Sequence, residues 1–147
     1  MRRLLATLWL IVLVGCSSSA SDAFTKGMEA YGVKDYATAF PLVSTAARDS
    51  HVEAMAILGV MHLFGQGTPI NGKEAERWLR KASDSGFTEA QSTLGIMYAT
   101  GAGVERNFTE ARRLLTLAAD KGDKHAIMVL KQLGDDATRP DQTGRIL

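Results

Sequence analysis

The sequence is poor in the residues that carry covalent or metal chemistry. It has one cysteine, Cys16, three histidines and three prolines in 147 residues. A lone cysteine excludes an internal disulfide framework and a thiolate-built zinc site. Neither sign of charge is in excess: 17 Lys and Arg stand against 16 Asp and Glu, which leaves no basic stripe for nucleic acid and no acidic tail. Hydrophobic residues make up 46% and charged residues 22%, the balance of a globular chain rather than a disordered one. The length allows one domain.

What is there begins with an address label. Arg2 and Arg3 follow Met1, and Leu4 to Val14 then runs eleven residues without a charge. As a helix this stretch would reach about 16 Å, roughly half of a bilayer core. Residues 1–15 are therefore read as a removable signal peptide and not as a span. Leu13-Val14-Gly15-Cys16 resembles the bacterial lipobox. The resemblance implies lipidation of the Cys16 thiol, cleavage before it, and acylation (palmitate) of the new terminus. Two or three acyl chains anchor firmly where one is marginal, at about 0.8 kcal/mol per buried methylene. Ser17, in place of Asp, implies by the same resemblance an outer-membrane lipoprotein facing the periplasm. The alternative is a plain secretory peptide cut after Ala20. Residues 16–21 read as a lipidated, Ser-rich tether.

A 36-residue period organises the rest. Residues 51–86 and 87–122 agree at 15 of 36 positions, where chance gives about two or three. The shared positions include Ala54 and Ala90, Leu58 and Leu94, Gly59 and Gly95, Gly65 and Gly101, Gly67 and Gly103, Ala75 and Ala111, Leu79 and Leu115, Ala82 and Ala118, and Gly86 and Gly122. The period extends back to Asp35, Ala39 and Ala46, and forward to Ala126 and Leu130. The predicted organisation is a solenoid over 22–134. It has units at about 22–50, 51–86 and 87–122 and a closing helix at 123–134, followed by a polar, aperiodic tail at 135–147 that starts after a Gly134 stop.

Each unit reads as helix A, loop, helix B. Ala54, Leu58 and Met61 give helix A its apolar face. Asn71, with Glu74 three residues on, resembles a capping box that opens helix B. Ala75, Trp78, Leu79 and Ala82 share the inner face of helix B. Gly86 stops this helix, and Gly122 is its counterpart one unit later. Gly59 and Gly95 sit mid-helix, which predicts close helix approach with Ala75/Ala82 and Ala111/Ala118 opposite. Pro41, on the solvent side of the first helix B, predicts a bent or frayed helix.

The spacing Ala-x-x-x-Leu-Gly-x-Met-x-x-x-Gly-x-Gly, followed by Asn-x-x-x-Ala-x-x-x-Leu-x-x-Ala-x-x-x-Gly, resembles the Sel-one-like repeat (SLR) family, a relative of the tetratricopeptide repeat. The match covers 54–86 and 90–122 closely, and 24–50 is more tetratricopeptide-like. The resemblance implies an all-α, right-handed α-solenoid working as a protein–protein scaffold. Some cysteine-rich members are linked to β-lactam binding; those are stapled by disulfides, and this chain has no cysteine to spare.

No catalytic, cofactor or metal residue is assigned. His51, His62 and His125 lack metal-ligand spacing. Glu53/Glu89 and Glu74/Glu110 recur at first turns of helices, where they complement the dipole. The candidate binding residues are those that differ between units while the packing positions repeat: Met55/Gln91, His62/Tyr98 and the loop residues Gln66/Ala102. The expected function is a membrane-anchored scaffold whose partner is another protein, in assembly of an envelope, secretion, pilus or polysaccharide-export complex. The alternatives are a regulator of one envelope enzyme or sensor and, last, a hydrolase.

Overall fold

A computed structural model describes residues 20–137. Cys16 and the signal segment lie outside the described residues, as does 138–147 of the expected tail. Seven helices account for nearly all of the described chain, and no strand occurs among the described residues. They are α1 (20–32), α2 (Tyr36–Arg48), α3 (Val52–Phe64), α4 (Gly72–Asp84), α5 (Thr88–Thr100), α6 (Phe108–Ala119) and α7 (Lys124–Ala137). The pairs α1/α2, α3/α4 and α5/α6 are three A/B units, and α7 closes the row as a fourth helix A. Each helix packs on its chain neighbours, and α7 also reaches α5.

The small residues of the repeat define the core. Ala39, Ala54, Ala75, Ala82, Ala90, Ala111, Ala118 and Ala126 are all fully buried, with Val43, Leu58, Met61, Leu79, Leu94, Met97 and Leu115 filling the space between helix pairs. Alanine lets the axes approach, and the longer side chains interdigitate between them. Trp78, buried on α4, carries the cations of Lys81 and Arg77 over its ring at 4.4 and 5.3 Å.

The mid-helix glycines mark the tightest approach. A Cβ on Gly59 would stand 2.6 Å from Leu79 Cγ, and one on Gly95 would stand 2.8 Å from Leu115 Cγ. The residues opposite are therefore Leu79 and Leu115, with the carbonyls of Ala75 and Ala111 beside them, rather than the alanine side chains that the sequence suggests. A second close contact repeats between loops and helices. Gly103, at φ +72°, lies on Gly72, where a Cβ would fall 1.9 Å from the Gly103 carbonyl oxygen. One unit earlier, Gly67 meets the Tyr36 carbonyl in the same way. Each A–B loop thus rests on the first turn of the preceding helix B.

Helix caps follow the repeat with one change from expectation. Asn71 Oδ1 accepts from the Glu74 amide at 3.1 Å, and Asn107 Oδ1 from the Glu110 amide at 3.0 Å. The reciprocal half of the capping box does not form. The Asn71 and Asn107 amides donate instead to the carbonyls of His62 and Tyr98, which pins each loop to its own helix A. The freed carboxylates of Glu74 and Glu110 pair with Arg77 and Arg113.

Two points differ from the sequence reading. α2 is continuous through Pro41, so the expected fraying does not occur. Pro41 is exposed and its missing amide falls on the wet side, while Thr45 Oγ1 donates to the Pro41 carbonyl at 2.9 Å.

The glycines that close each unit act as the sequence suggests. Gly86 and Gly122 stand just past the B helices in the left-handed conformation of a helix stop. α4 ends at Asp84 with Ser85 as its cap, and α6 ends at Ala119 with Asp120 as its cap. Gly122 lies beyond that cap, exposed, and a Cβ on it would meet no atom within 4 Å. Gly122 is therefore not a packing residue. Its left-handed backbone, at φ +87°, turns the chain so that the Asp123 amide reaches back to the Ala118 carbonyl at 3.1 Å. Gly86, also exposed, does the same at φ +83° between Phe87 and Ala82.

The second difference is at α7, which runs on to Ala137, so Gly134 does not stop it and the helix takes the first three residues of the expected tail. Unlike Gly65, which ends α3 at φ +70°, Gly134 has no left-handed backbone.

Candidate protein-binding groove

The A helices are apolar on more than their core side. In α3 only Glu53 and His62 are polar among its 13 residues. Ala54, Leu58 and Met61 turn to the core, which leaves Ile57, Val60 and Phe64 on another side. In α5 the matching positions are Thr93, Ile96 and Thr100. Ile57, Val60 and Ile96 are half-buried, while Phe64 is 64% exposed and Ile70 in the loop is 72% exposed. A helix apolar all round is ordinarily covered on all sides. Here one side opens into a cavity of about 490 Å³ between α3 and α5, lined by Val60, Leu63, Phe64, Ile70, Ile96 and Met97. Its size falls within the usual range of ligand pockets.

A second, polar cavity of about 670 Å³ lies where the start of α4 meets the α5–α6 loop, lined by Lys73, Glu76, Tyr98, Glu105, Arg106 and Asn107. Its Tyr98 and Glu76 side chains are already engaged. The Tyr98 hydroxyl donates to Glu76 and accepts from Arg80. Arg80 also pairs with Glu76 at 3.1 Å and, more loosely, with Glu110 at 3.5 Å. The Tyr98 hydroxyl holds the Glu76 carboxyl below its ordinary range, and the Arg113 hydrogen bond does the same for Glu110. Burial, with the Glu76 carboxylate beside it, pushes the Tyr98 phenol up to about 12. Two ionised carboxylates tied to arginines are not a general acid–base pair, which needs one carboxyl with a raised pKa. The cluster ties the second unit to the third.

That tie has a pH signature. A phenol whose pKa rises from 10.0 to about 12 on folding favours the protonated fold. Its contribution is complete below pH 10 and is lost as pH climbs through about 12. Tyr98→Phe should lose this alkaline-sensitive part of stability. Far-UV ellipticity against pH tests it: the wild type should lose more stability than the variant between pH 10 and 12, and parallel curves would remove Tyr98 from the tie.

The residues singled out from the sequence fall in different places. Met55, Gln91 and Tyr98 are buried, so their variation between units serves internal packing. Gln91 Nε2 donates to the Ser83 carbonyl at 3.3 Å, and Lys121 Nζ donates to Gln91 Oε1 at 3.3 Å. His62 is half-buried, edge-on to Phe40, with Nδ1 unpaired; burial lowers its pKa. Gln66 accepts from the Tyr31 hydroxyl at 2.9 Å. His51 caps α3 through Nδ1 and stacks on Phe24 at 4.2 Å. His125 is exposed. Of these candidates Ala102 alone lines the apolar cavity, together with Met97 and Leu63, which stand beside Tyr98 and His62 in sequence. The sequence signal for the cavity was the near-absence of polar residues from α3. Among the described residues no helix is long and apolar enough to cross a membrane. Nor do three His, Cys, Asp or Glu side chains converge there as a metal site.

Repeated helix pairs with an open apolar groove define an all-α helical repeat solenoid of the protein-interaction class. The chain carries two Sel1 repeats, which match residues 52–87 and 88–123. It is similar to the crystal structure of a Sel1 repeat protein from Oxalobacter formigenes, with 28% identity and a TM-score of 0.69 over 80% of this chain and 45% of that one. It also resembles a protective antigen present in uropathogenic Escherichia coli strains that displays an SLR fold, with 27% identity and a TM-score of 0.73 over 89% of this chain and 28% of that one. Helicobacter pylori cysteine-rich protein B shares the fold at 22% identity and a TM-score of 0.58, over 63% of this chain and 69% of that one. The chain thus spans less than half of the first two relatives. No curated protein sequence matches it.

Proposed function

We propose that this chain is a protein–protein scaffold that takes an apolar segment of a partner into the groove between α3 and α5. The observation that carries the reading is the bare apolar wall of Phe64 and Ile70 above an apolar cavity. We place the scaffold at the outer membrane, facing the periplasm and held by acylated Cys16. The support for this is the basic start, the short apolar run and the Gly15-Cys16 junction of the sequence. Its work is assembly of an envelope, secretion, pilus or polysaccharide-export complex, and no catalytic step is assigned to it.

Phe64→Asp and Ile96→Asp should each reduce in-cell crosslinking of the partner at least tenfold while helicity is kept. Undiminished crosslinking would remove the groove from the reading. A multi-subunit export machine among the crosslinked proteins supports assembly, whereas a single envelope enzyme or sensor replaces assembly with regulation. Intact mass of the membrane-extracted protein should show acyl groups at Cys16. An unmodified terminus at Ser21 ends the lipoprotein assignment.

A further inference from the structure

The last helix has two apolar faces, and only one is covered. Ala126 is fully buried, and Val129, Leu130 and Leu133 pack against the core. On the opposite side Lys124, Ile127, Met128 and Lys131 form a second stripe at i, i+3, i+4 and i+7. Ile127 is 51% and Met128 60% exposed.

The repeat identifies what this stripe is. Counting back 36 and 72 residues gives Thr88, Gln91, Ser92 and Gly95 in α5, and Val52, Met55, Ala56 and Gly59 in α3. The last three of each set are buried. In both units the glycine of the stripe lies against that unit's own helix B, through Leu115 and Leu79. The Lys131 end of the stripe on α7 therefore sits at the helix-B slot of a fourth unit, vacant among the described residues. Lys131 stands where Gly59 and Gly95 stand, and there even a Cβ would meet the helix-B leucine at 2.6–2.8 Å. A helix packed as closely as α4 or α6 is thereby excluded. A helix standing further off, on Ile127 and Met128, is not.

The flanking charges select among occupants. A second copy paired through the same stripe sets Lys124 against Lys131 when antiparallel, and each lysine against itself when parallel. The opposite end of a second copy offers acidic Asp22 and Glu29 at the flanks but exposed Thr25 and Lys26 at the centre, so it brings no apolar surface to Ile127 and Met128. Neither pairing supplies both an apolar centre and acidic flanks. We propose that the α7 stripe docks an amphipathic helix of a different protein, one with an apolar i, i+3, i+4, i+7 face flanked by Asp or Glu. This surface is separate from the α3–α5 groove and stands without it.

The test uses the full chain and two synthetic 21-residue amphipathic helices with the same leucine face, one flanked by glutamates and one by lysines. Amide chemical shifts should move along 124–132 with the acidic peptide, and the lysine peptide should bind at least tenfold more weakly. Lys124→Glu with Lys131→Glu should reverse that preference. Ile127→Glu with Met128→Glu should abolish binding and leave the melting temperature unchanged. The proposal is overturned by shifts confined to Phe64 and Ile96, by equal binding of the two peptides, by dimerisation in sedimentation, or by α7 responding only to phosphatidylglycerol vesicles. A large drop in melting temperature of the Ile127/Met128 variant also overturns it, because that shows the stripe covered by the chain itself.

Discussion

Ala75→Glu should cost about 3–5 kcal/mol and leave much of the protein unfolded at physiological temperature. Ala75 is fully buried on α4, and its carbonyl lies beside Gly59, where a Cβ would already be within 3.1 Å of that oxygen. A glutamate there has to hold a carboxylate in the α3–α4 interface without a cation, or force the two helices apart. The residues that can pair with acid on α4, Arg77 and Arg80, are committed to Glu74 and to Glu76 on the outer side. Thermal and urea melts measure the loss. Lys73→Glu, two residues away on an exposed position, supplies the control and should change stability by no more than about 0.5 kcal/mol. Equal melting of the two variants would mean that α4 does not turn Ala75 inward.

Leu94→Ala is the second large effect. Leu94 is fully buried on α5, the central helix A, which packs on both α4 and α6. Truncation removes three buried carbons and leaves a void that neighbouring backbones cannot close, because Gly95 already holds α5 against Leu115 with no slack. The expected loss is about 2–5 kcal/mol. In a solenoid the damage spreads: the second unit is stabilised through its interface with the third, so both should melt together. A loss below about 1 kcal/mol, or an early transition confined to α6 and α7, would show the units to be less coupled than the shared core implies.

The repeat itself was legible because its signals are local and recur. Ala54 and Ala90, or Asn71 and Asn107, each do one job set by backbone geometry, and the structure repeats that job at each copy. Gly86 and Gly122 were legible as helix stops, because the left-handed backbone needed just past a helix end is one that glycine adopts without steric cost. Closeness of approach was legible from Gly59 and Gly95, but its partner was not. Which residue faces a glycine depends on helix rotation, and a difference of one turn exchanges Ala75 for Leu79. The binding residues were the least legible. Variation between copies suggests a partner surface, yet Gln91 and Tyr98 vary because each unit meets a different neighbour. Tyr98 reaches Glu76 and Arg80 of α4, where His62 meets Phe40 of α2. Position 36 residues earlier does not imply the same surroundings when the preceding unit has a shorter loop. The groove came instead from a plain excess: α3 has more apolar residues than one core face can bury. The same excess recurs at Ile127 and Met128 on α7.

The central claim is that partners are read on the A-helix side. A photo-crosslinking amino acid placed at Phe64 or Ile96 tests it against the same probe at Arg112, exposed on α6. The account predicts a discrete adduct from both groove positions and none from Arg112. An adduct from Arg112 with none from Phe64 or Ile96 would contradict it.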